Sequence, residues 1–281
     1  LYNHPSVAVW GIFSEPELRG DDPLPFIREL NATARALDPS RLTVGVSSKD
    51  GAVNTITDLI IWNHTLGWVE GRPSDIAIWR DQIYADPVWN KTRSAVSWRC
   101  GGSVHQQSEQ LHRARIFSNW HPENWQTFLH EVYVDALNRD SKFWGLFVGN
   151  MFDYGSVRYI WGEGTGINDN GLVTFDRLVR KDAFYLYKAN WNKSDPFVHI
   201  VGKRLDTLQS ATQTIKVYSN LQSVQLSLNG NPLGAGKGKD GVFVWENVKL
   251  APGQNILVAT GELAFEDRAV IRVTPSAGLS R

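Results

Sequence analysis

Cysteine is nearly absent: Cys100 is the one thiol in a chain of 281 residues. That excludes an internal disulfide and any cysteine-based zinc site, and it leaves the redox compartment open. Net charge is missing too, because 29 basic and 29 acidic residues cancel and the pI lies near 7.2. No overall field draws in phosphate backbones or anionic lipid, so nucleic acid is not an expected partner. No apolar run approaches the ~20 residues of a membrane span, so none is expected to cross a bilayer. The sequence opens at Leu1 with neither an initiator methionine nor a charged and apolar leader, and it reads as neither a complete translation product nor a signal-bearing precursor. The compartment stays undetermined.

Tryptophan, by contrast, is abundant. Twelve indoles are either core packing or flat faces of the kind on which pyranose rings stack. The length allows two domains, and the texture changes once. From Ser6 to about Trp191 short β-like runs alternate with helical ones, which reads as repeated βα units. The strand candidates are Val7 to Phe13, Leu42 to Val46, Leu59 to Trp62, Ala95 to Trp98 and Phe143 to Phe152. Helices are expected over Pro25 to Leu37, Ser74 to Tyr84, Pro122 to Leu137 and Lys181 to Trp191.

Five such units are too few for a closed eight-stranded barrel, and an open five-unit sheet is the alternative. After Pro196 short alternating runs such as Ile215 to Tyr218, Val224 to Leu228, Val242 to Trp245 and Ile256 to Ala259 carry a β-sandwich signature. The run Gly234 to Gly241 (GAGKGKDG) lacks the spacing of a phosphate loop and is expected to be a hairpin loop.

Glu15 follows the first β-run, at the end where barrel enzymes build their sites, and Pro16 stops the strand behind it. Asn3-His4-Pro5-Ser6-Val7 followed by Trp10-Gly11-Ile12-Phe13-Ser14-Glu15 resembles the acid/base motif of glycoside hydrolase family 2, NHPSVxxWxxxNE. In order downstream come Trp62-Asn63 with Gly67-Trp68, Gly101-Gly102-Ser103 with His105-Gln106-Gln107-Ser108-Glu109, and Asn150-Met151-Phe152-Asp153. Gly166-Ile167-Asn168-Asp169, Asp176-Arg177 and Lys181 to Trp191 complete the likeness to the C-terminal half of β-galactosidase-type members.

The resemblance implies an α/β plus all-β chain: a partial (β/α)8 TIM barrel, strands four to eight, over residues 1–195, then an immunoglobulin-like β-sandwich over 196–281. It implies hydrolysis of terminal β-linked sugars with retention, which needs two carboxyl groups about 5–5.5 Å apart. Glu15 is then the acid/base, and Ser14, Asn63, Trp68 and Asp153 are the candidate substrate-binding residues. Mg2+ or Na+ near the site also follows from the resemblance, with no ligands placed. The implied partner is carbohydrate, with a homo-oligomer in the full-length protein.

The nucleophile belongs at the end of the seventh strand, usually within Ser-Glu-Tyr-Gly-Ala-Gly-Gly-Ser. Here the segment reads Ser97-Trp98-Arg99-Cys100-Gly101-Gly102-Ser103, one residue shorter, with Trp98 in the place of the Glu. Asp50, Glu70 and Asp153 end other strands, and Cys100 has no evident base. Ser14 replaces the Asn that contacts the sugar 2-hydroxyl, Thr65, Leu66 and Val69 stand where aromatic residues are usual, and Gly149 replaces a Trp. A pair of small insertions or deletions in the gene would account for Trp98-Arg99-Cys100 alone. Three readings follow: a fragment of a β-glycosidase, a catalytically dead carbohydrate-binding pseudoenzyme, and a structural module built on the sandwich. The histidines show no metal-binding spacing, and His121 and His130 are expected in solvated or capping roles.

Overall fold

The computed structural model describes residues 4–17, 20, 22–89, 93–138, 142–162, 164 and 166–274. Asn3 of the acid/base motif, like Leu1, lies outside the described residues. The chain forms two compact units, one from residues 1–99 with 133–149 and one from 100–132 with 150–281.

The first unit is a parallel sheet of β1 (Val9–Ser14), β2 (Leu42–Ser47), β3 (Leu59–His64), β4 (Ser94–Trp98) and β5 (Phe143–Val148). Spatial order follows chain order from β1 to β5, and every neighbouring pair is parallel. Helix α1 (Leu24–Leu37) connects β1 to β2, and α2 (Asp75–Ala85) connects β3 to β4. Helix α3 (Glu123–Leu137) leads into β5, its residues from Tyr133 onward belonging to this unit.

The expected strands and helices are present with shifted ends. β1 starts at Val9 rather than Val7, because the Val7 N–H closes a turn onto the His4 carbonyl at 3.1 Å. β5 ends at Val148 rather than Phe152, where Gly149 donates to the Trp98 carbonyl at 2.9 Å and the chain bends away.

The faces of this sheet can be read from register and packing, since side chains alternate along a strand. Trp62 and His64 pack against Trp79 of α2, with ring centroids 6.1 and 4.1 Å away. Trp98 stacks on Tyr133 of α3 at 5.1 Å. His64 and Trp98 are Cα partners, so both point to the helix-covered face. Asn63 and its partner Ser97 point the other way, along with Phe147, the next partner in the row. One pleat earlier, Ser14, Val46, Ile61 and Ala95 form the neighbouring row of that face.

In the second unit β6 (Tyr154–Gly155) and β7 (Ile167–Asn168) form a short ribbon, and α4 (Asp182–Trp191) precedes the sandwich. The sandwich comprises β8 (Val198–Ile200), β9 (Thr207–Leu208), β10 (Thr212–Ser219), β11 (Val224–Leu228), β12 (Asn231–Ala235), β13 (Lys237–Lys239), β14 (Val242–Lys249), β15 (Gly253–Gly261) and β16 (Glu266–Val273). One sheet runs β13-β14-β10-β8 and the other β12-β11-β15-β16-β9. Their inner faces meet in a core that includes Ile215, Val217, Phe243 and Trp245 from one sheet with Leu226, Leu257 and Ile271 from the other.

The glycine and lysine run is not one loop, as expected, but two edge strands joined at Gly236, where a side chain would lie 2.7 Å from the Trp245 ring. The turn itself is confined to Asp240 and Gly241, both at positive φ, which suits a tight hairpin.

The second unit also holds a buried polar network. Lys181 is fully buried and its Nζ donates to the Gly102 carbonyl at 2.5 Å, Asp169 O at 2.9 Å and Asp153 Oδ1 at 2.8 Å. Arg204 bridges Glu123 and Asp182, and His199 lies 2.8 Å from Asp182. His121 and His130 are buried rather than solvated or capping. His121 lies 2.7 Å from Asp169 and 3.0 Å from the Arg115 carbonyl, and His130 lies 2.6 Å from the Tyr187 hydroxyl. Among the described residues no helix is long and apolar enough to cross a membrane.

Candidate active site

Glu15 sits just beyond β1 with φ of 49°, the left-handed region that a non-glycine residue seldom occupies. Pro16 behind it disfavours compact backbone at position 15, so the conformation runs against local preference at a cost of about 1–3 kcal/mol. Its N–H donates to the Val46 carbonyl at 2.9 Å, which ties the turn to the end of β2.

The side chain is exposed and held from two further strand ends. Ser48, just past β2, donates to Oε2 through its N–H at 3.1 Å and its Oγ at 2.7 Å. Asn63 of β3 donates to Oε1 through Nδ2 at 3.0 Å. Three donors therefore converge on one carboxylate at the C-terminal ends of three consecutive parallel strands. His64, the next residue of β3, is buried and its pKa is pushed down to about 4, chiefly by loss of solvent and partly offset by the Glu15 charge.

The structure brings Asn63 to Glu15 and places Ser14, exposed, on the same sheet face as Asn63. Trp68 is only 1% exposed, inside a turn closed by Gly67 N–H on Glu70 O at 2.7 Å and Trp68 N–H on Thr65 O at 3.0 Å. Its indole presents no open face for a sugar ring. Asp153 belongs to the second unit, where its Oδ1 accepts from Lys181 and from the Gly171 N–H at 2.7 Å. Its pKa is pushed up to about 6, mainly by burial and against the pull of Lys181. Its Oδ2 is buried without a hydrogen-bond partner among the described residues.

Trp98 does not face Glu15. A side chain at position 98 enters the helix layer against Tyr133, and the residue of β4 that shares the Asn63 face is Ser97. Placing the second carboxylate at Trp98 requires a one-residue gap, and strand alternation rejects that placement because a one-residue slip turns a side chain to the opposite face. Ser48 and Ser97 are the two residues of this site that motif reading passes over. The alternation of half-buried and buried positions along β3, carried to β4 by the pairing of Asn63 with Ser97, is the signal that finds Ser97, whereas Ser48 is found only in three dimensions.

Among the described residues no group of three or more His, Cys, Asp or Glu is arranged to hold a metal ion. Cys100 is buried and its thiol pKa is raised by loss of solvent, which disfavours the thiolate a nucleophile needs.

A family described as a domain of unknown function (DUF4982) matches residues 211–264, within the sandwich. A β-glucuronidase of Bacteroides fragilis is 40% identical over 263 residues, which cover 92% of this chain and 37% of that protein. Among solved structures, the FMN-binding β-glucuronidase from Facaelibacterium prausnitzii L2-6 is 31% identical with a TM-score of 0.87. A putative β-galactosidase from Bacteroides fragilis is 29% identical with a TM-score of 0.89. Each match covers 97% of this chain and 42% of the solved chain. The chain thus spans about two-fifths of the length of the proteins it matches. Over more than nine-tenths of its own length it is related to glycoside hydrolases of the β-galactosidase and β-glucuronidase type, the family-2 enzymes that its motifs resemble.

Proposed function

We propose that this chain is the C-terminal part of a retaining β-glycosidase, with strands four to eight of a (β/α)8 barrel over residues 1–195 and an immunoglobulin-like sandwich over 196–281. The observation that carries the proposal is the Glu15 carboxylate, set at a strand end and gripped by donors from beyond β2 and from β3. In this reading Glu15 is the general acid/base. The sheet order supports a barrel, because it runs β1 to β5 without the reversal that a doubly wound sheet contains. The names of the relatives support a terminal β-glucuronide or β-galactoside as substrate.

The nucleophile is the missing part. On the Glu15 face β4 carries Ser97 and β5 carries Phe147, and neither supplies the second carboxylate of retaining chemistry. That favours a second reading, a carbohydrate-binding pseudoenzyme that holds a sugar without cleaving it.

The test is a chimera in which this chain replaces the matched segment of the B. fragilis β-glucuronidase. Unaltered, it is expected to cleave neither 4-nitrophenyl β-D-glucuronide nor the β-D-galactoside. Ser97→Glu is expected to restore cleavage of one of them with retention, and adding Glu15→Gln to lower that rate by about 10²–10⁴-fold. Trp98→Glu is expected to restore nothing. Restoration by Trp98→Glu instead would overturn the register, and cleavage indifferent to Glu15→Gln would overturn the acid/base assignment. Calorimetric binding of glucuronate or galactose by the unaltered chimera, with no recovery in Ser97→Glu, would select the pseudoenzyme.

A further inference from the structure

The two oxygens of Glu15 are not held alike. Oε2 accepts two hydrogen bonds from Ser48, one from a backbone N–H and one from the hydroxyl, whereas Oε1 accepts one from the Asn63 amide. The segment that carries Ser48 is fixed independently of Glu15. Ser47 Oγ donates to the Lys49 carbonyl at 2.9 Å, and the buried Asn54 donates Nδ2 to the same carbonyl at 2.7 Å.

A backbone N–H can only donate, and an oxygen facing such a donor is a poor place for a proton. The Ser48 hydroxyl can also donate, and in doing so it adds a second donor to the same oxygen. The Asn63 amide hangs on a rotatable side chain and constrains Oε1 less.

We propose that Ser48 is a positioning residue whose N–H and Oγ hold Oε2 as the accepting oxygen, so that the proton Glu15 delivers resides on Oε1, beside Asn63. The proposal rests on the reading of Glu15 as the general acid. In delivery the Oε1–H bond breaks, the proton passes to the glycosidic oxygen of the leaving group, and the electron pair of that bond remains on the carboxylate. His64, one residue beyond Asn63, is a titratable group on which the Glu15 charge acts, and the charged Lys49 and Asp50 follow Ser48 in the chain.

The test needs no turnover. In the deuterated chimera, 15N-labelled at serine and asparagine, 1H–15N spectra would follow the Ser48 amide and the Asn63 side-chain amide as the pH falls. Glu15→Gln isolates the part of each displacement that His64 and other titratable groups cause. After that subtraction the Asn63 Nδ2 resonances are expected to move at least about twice as far as the Ser48 amide, because the proton arrives on the oxygen they face. Ser48→Ala keeps the N–H and loses the hydroxyl, so the Asn63 displacement is expected to shrink as Oε2 begins to share the proton. Ser48→Thr is expected to restore it.

A Ser48 amide that moves as far as Asn63, or further, would overturn the proposal. An Asn63 displacement unchanged in Ser48→Ala would overturn it as well. The glycosidase reading fails in a different experiment, the Glu15→Gln rate in the chimera, so the two failures are told apart.

Discussion

Trp98 shows how one residue can be misjudged by position in a motif and placed by its neighbours. Its indole is 1% exposed and stacked on Tyr133, so its contribution is packing. Trp98→Ala is expected to destabilise the chain by about 3–5 kcal/mol and Trp98→Phe by less, as read from urea unfolding midpoints. Lys181 carries a comparable load in the second unit, with three acceptors around one buried ammonium. Lys181→Met would leave Asp153 buried and unpaired, and the expected loss is about 3–5 kcal/mol. At this scale the position of Glu15 just past the end of β1 was legible because Pro16 and the preceding strand frame it. Trp68, legible as an indole beside Gly67, was misplaced because burial depends on how the turn from Thr65 to Glu70 folds.

At the scale of elements, β3 and α3 each carry a histidine that folding keeps neutral. Burial is the main cause in both, pushing the pKa of His64 to about 4 and that of His130 to about 3. Both values lie below the unfolded value of about 6.5, so the folded state binds fewer protons than the unfolded one. The associated stability is whole above about pH 6.5 and is lost as the pH falls toward 4 for His64 and 3 for His130, roughly 3 kcal/mol or more for each. Unfolding midpoints are expected to drop between pH 6.5 and 4, and His64→Phe and His130→Phe each to flatten that slope. A midpoint independent of pH in that window would count against neutral burial.

Strand and helix identity was legible here from periodicity alone. The ends were not, since turns such as Val7 onto His4 and Gly149 onto Trp98 depend on single hydrogen bonds. The burial of His121 and His130 was not legible either, because their partners Asp169 and Tyr187 lie 48 and 57 residues away in sequence.

For the whole molecule, β1 and β5 are the two edges of the parallel sheet. An apolar groove of about 460 Å³ lies against the β1 edge, lined by Trp10, Ile12, Leu30, Ala34 and Leu37, and Phe26 is exposed on the same helix. Unpaired edges with apolar flanks associate, so the 281-residue chain alone is expected to sediment as oligomers or aggregates; a clean monomer would weigh against the barrel reading. The sandwich presents the opposite case, with a core drawn from Ile200 to Val273. Residues 196–281 alone are expected to fold, though with a lower melting temperature. Separation removes Asp182 from His199 and Glu131 from Tyr218, and Glu123 from Arg204.

Where the sandwich strands begin was legible in the change after Pro196, whereas the grouping of 100–132 with them was not, because its ion pairs join residues far apart in sequence.

The alternation of faces along β4 also says something about inheritance. Ser97 and Trp98 occupy adjacent codons, yet one belongs to the Asn63 face and the other to the packing against α3. A library of every single substitution from Ser94 to Trp98 should therefore tolerate change at one position. Folding yield would fall at 94, 95, 96 and 98, all buried, and hold at the half-buried 97, where drift is free to erase or restore a chemical group without the fold registering the change.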